Sequence, residues 1–123
     1  MTTWNLSGTK HHILICNGGS CMRKLGEEVT LAIRDEIKRS GVDMQVHTTR
    51  TRCNGRCEDA CVVILYPSGN WYKNMTPEAG RQLVRDVVKD DGRPIEERIM
   101  YSYHYGFQPN ANTIHGIGKT TSV

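Results

Sequence analysis

Four of the five cysteines in this 123-residue sequence fall into two pairs. Cys16 and Cys21 are separated by four residues, Cys53 and Cys57 by three, and 31 residues lie between the pairs. Thiols bunched in this way more often bind metal or carry redox chemistry than staple a fold. Three chemistries compete for the pattern. Four thiolates can surround a two-iron core with its sulfides, or close a tetrahedral zinc site. A disulfide-exchange pair would need two intervening residues, a spacing that occurs nowhere here. Zinc ribbons also favour two-residue gaps, in tight turns of very small domains, whereas this chain has enough apolar pattern to fold without a structural metal. The spacing favours iron over zinc and leaves both open.

Each pair falls in a loop that leaves a strand, beside Gly18, Gly19 and Gly55. Glycine lets backbone approach closely and turn sharply, so that N–H groups can be aimed at sulfur to stabilise its charge. Arg50, Arg52 and Arg56 flank the second pair, either to offset part of a cluster's negative charge or simply as a solvated face. The fifth cysteine, Cys61, reads as a buried free thiol, since free cysteine behaves as a small hydrophobe. A substitute ligand is the sharper alternative. His11, His12, His47, His104 and His115 are scattered without ligand spacing. Trp71 and Tyr72 cover a core edge or line a docking surface.

The positioning elements are legible in the apolar periodicity. His12-Ile-Leu-Ile-Cys16 predicts a buried strand that runs into the Asn17-Gly18-Gly19 turn. Met22, Leu25, Val29, Ala32, Ile33 and Ile37 recur at helical spacing, with Ser40-Gly41 as the stop. Met44 to Thr48 alternates as a half-buried strand, and Thr49 to Ala60 predicts a polar loop. Val62 to Tyr66 and Trp71 to Lys73 form a hairpin about Pro67-Ser-Gly-Asn70. Thr76 caps a second helix, with Pro77 in its first turn and a buried face of Ala79, Leu83, Val84, Val87 and Val88. Gly92 and Pro94 should close it. The expectation is a thioredoxin-like α/β fold: a mixed four-stranded sheet with two main helices, in the order β-α-β-β-β-α. A C-terminal tail follows, aromatic from Arg98 to Phe107 and then mostly polar.

Composition excludes several functions. With 37% apolar and 24% charged residues, the sequence is that of a globular domain. It has no run of apolar residues long enough to span a membrane. The net charge of +3 is spread among alternating acids and bases, so no nucleic-acid stripe is expected. Met1 to Lys10 lacks a signal-peptide pattern, which points to the cytoplasm. There is no phosphate-binding glycine loop, no nucleophilic triad and no paired carboxylates. No catalytic site of its own is expected.

The sequence resembles the thioredoxin-like [2Fe-2S] ferredoxins and, more distantly, the small cluster-bearing subunit of respiratory complex I. The matching residues are Ile13-Leu-Ile-Cys16, Gly19-Ser20-Cys21, and Thr49 to Cys57. Val62 to Tyr72 with its Tyr-Pro and Trp-Tyr, Thr76-Pro-Glu78 and Arg93 to Arg98 also match. The resemblance implies that Cys16, Cys21, Cys53 and Cys57 ligate a [2Fe-2S] cluster. It also implies that the protein shuttles single electrons between redox protein donors and acceptors, often as a homodimer. It divides the chain into a ferredoxin domain, residues 1–100, and a tail, residues 101–123. A zinc-stabilised interaction module, or a subunit of a larger oxidoreductase, is the alternative. The first cysteine gap is short, as in the complex I type, and the tail has no evident counterpart.

Overall fold

The computed structural model describes residues 2–89 and 96–119. In chain order the elements are β1 (His11–Cys16), α1 (Gly19–Arg23), α2 (Gly26–Arg39), β2 (Val46–Thr51), β3 (Val63–Tyr66), β4 (Asn70–Tyr72), α3 (Pro77–Val87), β5 (Ile99–Tyr103) and β6 (Phe107–Pro109). The strands form one six-stranded sheet in the order β2-β1-β3-β4-β5-β6. β1 and β2 run parallel, as a strand–helix–strand crossover requires, and every other pairing is antiparallel.

The α/β class is as expected, but the count of four strands and two helices is not. Ile99-Met-Tyr-Ser-Tyr103 joins the sheet as β5 because Met100 on one face is fully buried while its neighbours are half-exposed. β6 then pairs with β5. The helix expected from Met22 is broken. Leu25 adopts left-handed backbone at φ 68° and starts α2 from a fresh turn, leaving Met22 and Leu25 exposed. β2 begins at Val46 and continues to Thr51, carrying the chain further toward the second cysteine pair than the alternation indicated. The closing residues Gly92 and Pro94, and the stretch Arg93 to Ile95, lie outside the described residues.

One apolar cluster holds these elements. Ile13 and Ile15 of β1, Val29 and Ile33 of α2, and Leu83 and Val84 of α3 have no exposed surface. Each such side chain contributes about 1.5 to 3 kcal/mol relative to exposure. Gly80 of α3 packs directly on α2: a Cβ there would stand 2.8 Å from Cγ1 of Ile33. α3 starts as its sequence dictates, with Thr76 Oγ1 accepting from the Ala79 N–H at 3.1 Å and Pro77 in the first turn. Tyr72 lies wholly inside, and Trp71 packs edge-on against Phe107 at 5.8 Å, so both belong to the core and its margin.

Candidate metal centre

Two loops bring the paired cysteines together. The first leaves β1 through Asn17-Gly18 and enters α1; the second leaves β2 and ends in a single 3-10 turn, Cys57–Asp59. β1 and β2 are neighbours in parallel register, with Cys16 opposite Thr51, so both loops emerge at the same end of the sheet. Asn17 N–H donates to the Thr51 carbonyl at 2.8 Å and locks the two exits side by side.

All four sequence-predicted ligands, Cys16, Cys21, Cys53 and Cys57, line one small cavity at this end. Cys16 and Cys21 are buried, whereas Cys53 and Cys57 are exposed, their sulfurs 3.5 Å apart. Among the described residues, no three His, Cys, Asp or Glu side chains converge as they would around one metal ion. The four thiols thus come to one end of the sheet in two pairs, one buried and one exposed.

Backbone N–H groups point at the sulfurs. Val62 N–H donates to Cys21 Sγ at 3.4 Å, and Gly55 N–H to Cys53 Sγ at 3.3 Å. Cys16 is opposed by burial, but the Gly18 N–H, the Cys21 thiol, and the backbone and side chain of Asn54 outweigh it and bring its pKa below the ordinary value. Burial pushes Cys21 up to about 12, with Cys16 beside it adding to the effect. Such donors lower the cost of a thiolate and tune any metal it holds.

Glycine is required at two contacts. A Cβ at Gly18 would lie 2.8 Å from the Cys53 Cα, and one at Gly26 would lie 2.8 Å from the Cys21 carbonyl oxygen and 3.2 Å from that of Cys16. Nothing in the local sequence announced Gly26, which is hidden inside a helical pattern. Asn17, Asn54 and Val62 were missed as well, because their roles come from tertiary pairing. Asn17 donates to Ile15 O and Thr30 Oγ1, both at 3.3 Å, and accepts from Arg50 at 2.9 Å.

The three arginines separate. Arg50 is tied to Glu27 and Asn17, and Arg52 stays exposed. Arg56 lines the cavity but is paired with Asp59. Cys61 is buried outside the cavity lining, its thiol 3.9 Å from the Cys16 carbonyl, and burial pushes it up to about 11. The histidines stay away: His12 meets Thr49 Oγ1 at 2.7 Å and stacks near His47 at 5.1 Å.

Residues 4–88 match the family model described as thioredoxin-like [2Fe-2S] ferredoxin. The chain belongs to that family. A Priestia megaterium protein that carries the name 2Fe-2S ferredoxin is 51% identical over 99% of this chain and 97% of its own length. The 2Fe-2S ferredoxin of Clostridium pasteurianum is 29% identical over 66% of this chain and 87% of its own. The crystal structure of the thioredoxin-like [2Fe-2S] ferredoxin from Aquifex aeolicus superposes with a TM-score of 0.67 at 26% identity. It covers 75% of this chain and 97% of that one. The C-terminal segment thus lies beyond the matched family model, while the Priestia protein spans it.

Proposed function

We propose that Cys16, Cys21, Cys53 and Cys57 ligate the [2Fe-2S] cluster that family membership implies, and that the protein is a one-electron carrier between redox proteins. The observation that carries the ligand set is that these four thiols share one cavity while Cys61 lies outside it. The cluster, when bound, changes by one electron between two oxidation levels at a potential set by its ligands and surroundings. The chain's own residues do the rest. N–H groups of Val62, Gly55, Gly18 and Asn54 offset thiolate charge, and Gly18 lets the loops close on one another. The exposed Cys53 and Cys57 give a partner protein its nearest approach.

The protein carries no catalytic site of its own in this reading, and it works in the cytoplasm. Residues 1–100 supply the electron carrier and residues 101–123 an appended segment, whose start lies inside β5 so that it completes the sheet. A homodimer would cover Tyr103, Tyr105 and Phe107, which are exposed by 57%, 94% and 46% on one chain. Sedimentation should show a dimer at micromolar concentration; a monomer would refute that part alone. No helix among the described residues is long and apolar enough to cross a membrane.

Anaerobically purified protein tests the reading. It should be red-brown with about two irons and two sulfides per chain, and its midpoint should lie near −400 mV, where four-thiolate centres fall. Colourless protein with stoichiometric zinc, or a midpoint well above zero, would refute it.

A further inference from the structure

The chain beyond the matched family span returns to the second cysteine loop. After β6, Asn110 N–H donates to the Met100 carbonyl at 2.8 Å and residues 110–119 turn back across the molecule. Thr113, largely buried, donates through Oγ1 to the same Met100 carbonyl at 2.7 Å, and Lys73 Nζ donates to Asn112 O at 2.9 Å. These anchors place the Ile114 carbonyl where Arg56 Nη2 donates to it at 2.6 Å.

Arg56 is the residue before Cys57 and lines the cysteine cavity. Its Nε and Nη2 both meet Asp59 Oδ2 at 2.8 Å, and its guanidinium lies 5.3 Å from the Tyr101 ring centroid. Asp59 is only 2% exposed, so its carboxylate depends on that partner. A planar fork of donors suits this simultaneous grip on a carboxylate, a carbonyl and a ring face, which an ammonium could not reproduce. Two of the groups that hold Arg56, Tyr101 and Ile114, come from beyond residue 88.

We propose that residues 110–119 clamp the loop that bears Cys53 and Cys57, and that Arg56 is the positioning residue through which the clamp acts on Cys57. The proposal rests on the reading of Cys57 as a ligand. With the clamp in place the loop resists opening, and the cluster is released slowly.

The test uses cluster-loaded protein in three forms: unaltered, ending at Asn110, and carrying Arg56→Lys, which keeps the charge and loses the fork. Amide hydrogen exchange over residues 53–59 should accelerate in both variants, with exchange in β1 and α2 unchanged. Cluster loss to an iron chelator should accelerate about tenfold, the size expected from losing one charge-assisted hydrogen bond, and the midpoint potential should shift. Unchanged exchange over 53–59 in both variants would overturn the clamp and leave the ligand assignment standing. Faster exchange with unaltered release and potential would overturn the role of Arg56 in positioning Cys57. A visible spectrum untouched by Cys57→Ser would overturn the ligand reading and the proposal with it.

Discussion

Gly18 is pressed against Cys53: a β-carbon added to it would come within 2.8 Å of the Cys53 Cα and 2.9 Å of its amide nitrogen. Gly18 itself has φ −67°, which any residue adopts, so alanine would fit the local backbone and collide only with the opposing loop. Gly18→Ala should therefore leave the fold intact and drive the two cysteine loops apart. Iron and sulfide per chain should fall well below those of unaltered protein, with unchanged far-ultraviolet circular dichroism. Full cluster content in this variant would show that the loops need not approach so closely.

Ligand and bystander cysteines should part under serine substitution. At Cys16, Cys21, Cys53 or Cys57 a soft thiolate becomes a hydroxyl that binds iron poorly, and the cluster should be lost or its spectrum shifted. Cys61→Ser instead buries a hydroxyl near the Cys16 carbonyl, at a cost of about 1 to 3 kcal/mol if it finds no partner, and should keep the spectrum. Bleaching by Cys61→Ser but not by Cys57→Ser would reverse the assignment.

Alkaline stability should depend on Tyr72. Burial pushes its phenol up to about 12, with a weak offset from the Asn70 side chain 3.4 Å away. The unfolded chain ionises near its ordinary value of about 10. Between these values the unfolded state binds fewer protons than the folded one, so stability is full below pH 10 and falls toward pH 12. Over the whole window this amounts to about 2 to 3 kcal/mol. Urea unfolding at several pH values should show a shallower alkaline decline in Tyr72→Phe.

Thr76→Ala removes the hydroxyl that accepts from the Ala79 N–H. The loss should be about 1 kcal/mol, as for other N-caps, read as a lower denaturant midpoint with the visible spectrum unchanged. A loss of cluster at the same time would mean that α3 supports the cysteine loops directly.

The parts of the molecule legible in its sequence are those fixed locally. Ile13-Leu-Ile ahead of a turn, Thr76-Pro77 ahead of an apolar helical face, and cysteines in two closely spaced pairs carry their meaning in neighbouring residues. What escaped depends on contacts distant in sequence. The break at Leu25 follows from Gly26 packing beneath the Cys16 and Cys21 carbonyls, which no periodicity registers. The burial of Met100 goes with the pairing of β5 to β4, a contact distant in sequence, and β6, three residues long, has no periodicity to read. Arg56 announced its charge, but its acceptor at Ile114 lies 58 residues away.

The sheet order has a consequence for solubility. Without β5 and β6, strand β4 would present a bare row of backbone donors and acceptors, a template for pairing with other chains. The two added strands move that margin outward to β6, which is only three residues long and ends in Pro109. A short border strand with a missing N–H is a poor template. The same extension that reaches back to the cysteine loop thus also guards this edge of the sheet against pairing with other chains, while β2 forms the opposite edge.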